Sequence, residues 1–474
     1  MSKPALDAKR HSSFAAYLKP RTLVMLTLGF SSGLPFLLVG NTFGYWLRDE
    51  GTSLTAIGFI SWVGIAYSLK FLWAPVIDRV SAPFFGHLGR RRSWMALAQI
   101  TVALALIAMA AMGPKLSLVL LGAFALIVAL ASATQDIVID AWRIESAESN
   151  EELGLLSSAY QFGYRAALLA ADALILIAAE QFGWSISYAL FGALMAIGFA
   201  ATFVASEPIQ ADRAIEEKVR QAPLSTLNGL RDAIAGPFIA FFRTYGVLAL
   251  LMLVAISLYR LPDFVMGPMA NPLYHDIGIS KDWVGAVRAS VGLIASFAGI
   301  AAGGFWAFRF GYISALVVGG ILQALAVAAF ACLAHVIPSA ELPPLVALSF
   351  GDFLHVILTN PHLRLFALVM TGDNFGISFA GVALVTYMSS LTSLGYTATQ
   401  YALLASTYAW AGKILKGFSG AVVEHLSASY GLMDAYAIFF VGCGLIGLPA
   451  VLLFLLLAAR HRTARESAKN PRYP

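Results

Sequence analysis

The stretch "LSLVLLGAFALIVALASATQDIVIDAWR", residues 116–143, decides how the whole chain is read. Leu116 to Ala131 carry no charge, yet the same helical pattern continues through Gln135, Asp136 and Asp140. About twenty apolar residues wound as a helix cross the roughly 30 Å of hydrocarbon in a bilayer. A charge at the centre of such a span costs about 2.5–3.5 kcal/mol on insertion scales, so it faces a cavity or a partner. The stretch therefore predicts a membrane helix that carries chemistry.

The rest of the chain agrees. Its 474 residues are 59% hydrophobic and only 12% charged, with a mean hydropathy of +0.77. A soluble protein of this size carries about 25% charged residues. The strand alternation that a membrane barrel needs is missing. The opening "MSKPALDAKRHSSFAAYLKPR" is polar and basic and precedes a long apolar run. It reads as an uncleaved cytoplasmic tail, not a secretory signal. Cys332 and Cys443 lie within apolar runs and read as small core residues, with no disulfide framework. The net charge of +5 does not point to nucleic acid, because the basic residues flank the spans.

Spans are expected near 22–47, 54–77, 93–112, 117–142, 153–179 and 184–205, then 244–269, 283–308, 312–336, 362–388, 398–423 and 432–459. This gives an all-α integral membrane protein of twelve helices in two six-helix bundles, 22–205 and 244–459. They are joined by a linker over 206–243 and flanked by tails at 1–21 and 460–474. Lys and Arg fix the orientation. One set of alternate loops, with the tails and the linker, holds 21 of them; the other set holds Arg48, Lys115 and Lys281. Both termini are therefore expected in the cytoplasm. "ELPPLVALSFGDFLHVILTN" (341–360) is short, opens with prolines and contains Asp352. It reads as an external interfacial or re-entrant insertion spanning about 338–361. A thirteenth span there would put the basic tail outside. The linker reads either as an amphipathic helix on the inner membrane surface or as a solvated tether.

Two six-helix halves joined by a cytoplasmic linker are the layout of transporters built from parallel repeats. After the second span comes "APVIDRVSAPFFGHLGRRRSW", and after the eighth comes "GGFWAFRFGY". Both resemble the loop signature of the major facilitator superfamily; the first has an insertion before Gly89 and Ala74 at the usual glycine. An acid at a helix end facing arginines of the next loop makes a charge-assisted latch. Asp78, Arg79, Arg90 and Arg91 are the expected cytoplasmic gate, set against the plainer reading that the arginines only anchor topology.

Asp136 and Asp140 are four residues apart and share a helical face, with Arg143 further along it. Two adjacent acids repel, which favours a protonated form of one of them. They are the expected proton-coupling pair. The other embedded polar groups are Lys70, Gln135, Gln161, Arg165 and Asp172 in the first half. The second half has Arg260 and Asp263 around Pro262, then Arg288, Asp373, Asn374, Lys413 and Lys416. Each half supplies both signs, which suits a polar central cavity for an amphoteric or anionic solute. Arg165 with Asp172 is the pair most like a structural bolt. Gly29 with Gly33, and Gly40 with Gly44, are each four residues apart, a spacing that permits close helix contact. Asn41 and Tyr45 on the same face can touch a solute. Trp46 and Trp184 read as interfacial belt residues, and Trp142 and Trp410 as core packing or a stacking surface.

"LGFSSGLPF", "KFLWAPVIDR", "RRRSWMALAQI", "SATQDIVIDAW", "GYR" (163–165) and "TQYALLAS" (399–406) together resemble the AmpG muropeptide permeases. The similarity covers most of the chain. It implies a major facilitator fold in a bacterial inner membrane. It further implies proton-driven import of N-acetylglucosamine linked to anhydro-N-acetylmuramic acid, with or without a peptide. That import serves peptidoglycan recycling and, in some bacteria, β-lactamase induction. By matched motif, Lys70, Asp136, Asp140 and Arg165 inherit a transport role, as do Asp263, Asp373 and Gln400 more distantly. The expected partners are the small-molecule muropeptide, protons and the lipid bilayer, with the chain acting as a monomer and with no metal or other cofactor. Two departures stand out: some family members carry extra C-terminal spans, and the 341–360 insertion is not part of the familiar pattern.

The nearest rival is a related facilitator carrying acetyl-CoA or a siderophore. An intramembrane enzyme fits poorly: all eight histidines lie in loops or near span ends, and neither GxSxG nor HExxH occurs. A receptor or scaffold would leave the embedded charges unexplained.

Overall fold

In a computed structural model of the chain, residues 19–52, 61–208, 213, 216–217, 227–335 and 349–469 are described. They contain helices and connecting turns and no strand. Nine helical stretches among them are long and apolar enough to cross a membrane. The chain divides into two compact units. Unit 1 is 1–246 together with 388–406, and unit 2 is 247–387 together with 407–474.

Unit 1 holds α1 (Pro20–Leu38), α2 (Asn41–Asp49), α3 (Ala74–Arg79), α4 (Arg90–Leu116), α5 (Leu118–Ser146), α6 (Asn150–Leu169), α7 (Ile175–Phe182), α8 (Trp184–Val204) and α9 (Leu227–Tyr245). The expected span at 54–77 departs from an α-helix. Its described part is 3₁₀-wound over Ser61–Ser68 and Lys70–Leu72 before α3 begins. Pro75 has no N–H to give to the Phe71 carbonyl four residues back, which suits it to the first turn of α3, where the helix begins. Between α6 and α7 the turn widens into a π-helix over Ala170–Leu174.

The glycine spacing of α1 does what close packing requires. A methyl group at Gly29 would strike the Tyr160 carbonyl, and one at Gly163 would strike that of Leu26. The backbones of α1 and α6 therefore touch, which fixes what lies opposite the acids of α5. Gly40 meets only its own preceding turn. At the far end of the unit, Trp46, Trp184 and Tyr188 form one buried aromatic cluster, with Trp46 and Tyr188 centroids 4.4 Å apart. Trp184 donates to Asp49 at 2.7 Å.

Unit 2 holds α10 (Leu248–Tyr259), α11 (Leu261–Asp276), α12 (Lys281–Val287), α13 (Leu293–Phe310), α14 (Tyr312–Ala334), α15 (Phe350–Thr359), most of α16 (Pro361–Ser390), the end of α17 (Thr397–Leu415), α18 (Ser419–Tyr430) and α19 (Leu432–Lys469). Pro262 breaks the expected seventh span into α10 and α11. A second π-turn, Arg288–Gly292, joins α12 to α13. Of the 341–360 insertion, 341–348 lie outside the described residues. From Ser349 it becomes α15, whose N-terminus the Ser349 hydroxyl caps. Phe353 of α15 stacks on Trp283 with centroids 5.5 Å apart, so the insertion packs onto unit 2.

Candidate functional site

The acids of α5 meet their partners within unit 1. Gln135 donates to Ser31 Oγ at 3.0 Å. From the next residue of α1, the Ser32 hydroxyl donates to Asp136 and lies 3.0 Å from the Tyr160 hydroxyl. The half-buried Asp136 makes its hydrogen bond to a hydroxyl and has Lys70 as an electrostatic neighbour outside ion-pair distance. Asp140 is handled differently. Arg143 Nη1 lies 2.8 Å from its Oδ1 and Lys70 Nζ lies 3.7 Å from its Oδ2. The Lys70 side chain reaches it from the 3₁₀ segment with 12% of its surface exposed.

Arg143 itself is fully buried. Its guanidinium sits 5.0 Å from the Tyr160 ring centroid and 5.2 Å from that of Tyr401, and donates to Ser389 Oγ at 3.2 Å. Two aromatic faces and a hydroxyl replace the water this charge has lost. With both acids ionised, the four groups Lys70, Asp136, Asp140 and Arg143 balance. A proton on Asp136 leaves a net positive charge. The cluster is thus a charge balance that one proton tips.

A second cluster lies at the end of unit 1 where α3 meets α4. The Arg91 guanidinium is fully buried between Asp78 (Nη2–Oδ1 2.8 Å) and Glu145 (Nη2–Oε1 2.5 Å). Asp78 also accepts from the backbone N–H of Ala398 at 3.1 Å and of Thr399 at 2.8 Å, and from the Thr399 hydroxyl at 2.7 Å. It therefore caps the start of α17, where the helix dipole favours an anion. Burial alone would raise the Asp78 carboxyl, but the Arg91 guanidinium and the hydrogen bonds from Arg91 and Thr399 outweigh it and hold it below its ordinary value. Glu207 grips the other side, accepting from the N–H groups of Arg91 at 2.5 Å and Arg92 at 3.1 Å. Gly89, at φ +97°, turns the chain tightly over Glu207 and leaves no room for a side chain. Of the four expected gate residues, Asp78 and Arg91 are joined directly. Arg90 reaches Glu145 at 3.6 Å, and Arg79 lies 5.9 Å from the Tyr396 ring centroid.

In unit 2, Arg260 and Asp263 pair at 2.9 Å across the break at Pro262. Arg288 donates to Asn271 Oδ1 at 2.9 Å and stands 5.4 Å from the Tyr274 ring centroid. Asn374 accepts from Ser296 at 3.1 Å and donates to the Met370 carbonyl at 2.9 Å. Asp373, beside it, is half-buried.

Gln400 is placed elsewhere than expected. It is buried, accepts from Ser393 N at 2.6 Å and donates to the Pro237 carbonyl at 2.9 Å, bracing α9 to the turn before α17. Gln161 and Arg165 are half-buried on α6, and Tyr45 is 60% exposed beside Trp184. The side chains of Asn41, Asp172, Trp410 and Lys413 lie outside the described residues. Sequence reasoning did not single out Ser32, Tyr160, Tyr401, Glu145, Glu207 and Thr399 as site residues, and read Arg143 only as a neutralising neighbour. The adjacent serines of "LGFSSGLPF" and the tyrosine before "QFGYR" were the available signal. Among the described residues, no group of three or more His, Cys, Asp or Glu side chains could hold a metal ion.

Residues 22–363 match the model of the Major Facilitator Superfamily, and the chain is a membrane transporter of that superfamily. Solved structures of the same fold include the proton:xylose symporter XylE, with a TM-score of 0.62 at 14% identity, covering 93% of this chain and 96% of that one. A bacterial homologue of the iron transporter ferroportin gives 0.59 at 14% identity, covering 92% and 98%. The anhydromuropeptide permease of Escherichia coli K12 is 32% identical over 403 residues, 85% of this chain and 74% of its own. The Rickettsia felis protein named AmpG 4 is 28% identical over 92% of this chain and 96% of its own. The chain belongs to the AmpG permease family, and is a multi-pass protein of the bacterial inner membrane.

Proposed function

We propose that this transporter imports muropeptides, N-acetylglucosamine linked to anhydro-N-acetylmuramic acid with or without a peptide, and that protons moving down their gradient drive the import. The observation that carries the reading is the unlike treatment of two acids one turn apart. Asp140 is paired directly with Arg143 and Lys70, whereas Asp136 has no ion pair among the described residues, accepts from the Ser32 hydroxyl and feels Lys70 only beyond ion-pair distance. Asp136 is the proton carrier in this reading, and Asp140 is the fixed counter-charge that keeps Lys70 and Arg143 in place. A relative named as an anhydromuropeptide permease, 32% identical, supports the choice of solute.

The Asp78–Arg91–Glu145 cluster serves as the cytoplasmic latch: capping α17 closes it, and withdrawal of Asp78 opens it. The polar groups Gln161, Arg165, Arg260, Asp263, Arg288, Asp373 and Asn374 supply hydrogen bonds to a solute rich in hydroxyls, amides and carboxylates. The chain turns over no substrate of its own. The test is uptake of labelled N-acetylglucosaminyl-anhydro-N-acetylmuramic acid into proteoliposomes. Uptake should rise with an inward proton gradient and collapse with an ionophore. Uptake indifferent to the gradient would remove the coupling, and no uptake at all would remove the solute.

A further inference from the structure

Arg288 stands out in unit 2. It opens the π-turn Arg288–Gly292 inside a candidate membrane span, Asp282–Phe310. Counted from Lys281 at the start of α12, it lies about 10 Å into the span at the usual rise per residue. Its side chain is exposed nonetheless. The 29-residue span is longer than the roughly 30 Å of hydrocarbon, so this exposed guanidinium lies near the hydrocarbon edge, within reach of water.

Its surroundings hold it without an ion pair among the described residues, with the Asp373 carboxylate in electrostatic reach of the same Tyr274. Asn271, itself exposed, accepts one N–H at 2.9 Å, and the Tyr274 ring supports the guanidinium at 5.4 Å. Tyr274 is fixed in turn, donating to Met370 Sδ at 3.2 Å. Among the described residues Arg288 forms no ion pair. Arg260 and Arg143, by contrast, each sit within 3 Å of a carboxylate oxygen. Guanidinium presents five donors in a planar fork that matches a carboxylate. One donor is used by Asn271, and that bond together with the ring fixes the plane of the rest. The wide turn, a feature frequent at functional sites, sets this residue at the head of the bulge.

We propose that Arg288, steadied by Asn271 and Tyr274, is the seat of a carboxylate of the transported solute. This rests on the muropeptide reading for the identity of that solute: its bare disaccharide form has a single carboxylate, the lactyl group of the anhydro sugar. The seat selects the acid over its neutral amide.

Two measurements on the full-length protein separate this inference from the reading it rests on. The first is the thermal shift of the purified transporter with N-acetylmuramic acid and with its methylamide. Wild type should be stabilised by the acid more than by the amide, and Arg288→Gln should lose that difference while Arg288→Lys keeps part of it. An equal shift with both compounds, or a difference that survives in Arg288→Gln, overturns the seat. The second is proteoliposome uptake of labelled anhydro-disaccharide and its methylamide. Arg288→Gln should lower the acid-over-amide ratio of Vmax/KM by about 10- to 100-fold, the worth of one charged hydrogen-bonding pair. A variant that slows both compounds equally marks Arg288 as structural and overturns the proposal. If wild type carries neither compound, the muropeptide reading fails, and the thermal shifts alone decide the seat.

Discussion

Asp140 lies between two cations, with Arg143 Nη1 2.8 Å from one carboxylate oxygen and Lys70 Nζ 3.7 Å from the other. Neither cation has water to fall back on, since the Arg143 side chain is fully buried and that of Lys70 is 12% exposed. Asp140→Asn should therefore be a folding lesion as much as a transport lesion. Removing one member of a buried pair costs about 3–5 kcal/mol. The melting temperature in detergent should fall sharply. A further Lys70→Met change should recover part of it, because one of the stranded charges goes too. An Asp140→Asn protein as stable as wild type would contradict this account of the cluster.

Asp136→Asn tests the opposite case. The amide oxygen can still accept from Ser32, and Arg143 and Lys70 keep their direct partner Asp140, so stability should fall clearly less than in Asp140→Asn. Uptake driven by a proton gradient should vanish, while exchange of labelled for unlabelled solute at equal pH persists. Loss of both activities in a well-folded variant would assign Asp136 to solute binding instead of coupling.

Asp78 gives a pH dependence of definite sign. Its carboxyl is held below the ordinary value in the folded protein. The unfolded chain therefore binds the proton more readily. The stability Asp78 contributes is complete above the unfolded value of about 3.9 and fades as pH drops through the lower folded value. The melting-temperature gap between wild type and Asp78→Asn should be flat from neutral pH down to about 5, then shrink on further acidification. A gap that widens in acid would reverse the sign.

Gly163→Leu should separate α1 from α6. The Cβ alone collides with the backbone at Leu26, and backbone cannot swing aside as a flexible side-chain tip can. Overpacking of this kind costs about 1–3 kcal/mol. Because Ser32 is on α1 and Tyr160 on α6, proton-driven uptake should fall along with the melting temperature. The control is Gly122→Leu on α5, where an added Cβ meets nothing within 4 Å.

The helices were legible because hydrocarbon imposes a fixed length on apolar runs. The acid pair was legible because charge is rare there. Lys70 and Arg143 could be suspected beside Asp140, but which acid they would neutralise depends on the 3₁₀ winding of 61–72. That winding cannot be read from an apolar run interrupted by Lys70. The latch was half legible. Asp78 and Arg91 follow from a motif, whereas Glu145, Glu207 and Thr399 reach it from distant parts of the chain and resemble ordinary helix-end residues. Gln400 was misplaced for a related reason. A glutamine in an apolar run looks the same whether it faces a solute or, as here, completes the hydrogen bonds of Ser393 and Pro237.

The two widened turns, at Ala170–Leu174 and Arg288–Gly292, each slip one extra residue into a helix. One residue amounts to about 100° of rotation. A helical wheel drawn straight through either turn therefore assigns wrong faces to everything beyond it. In a cysteine scan along 153–182 or 283–308, the repeat of labelled positions should jump in phase at the turn. Maps of the water-lined wall drawn from an unbroken period would point half of each helix at the wrong neighbour.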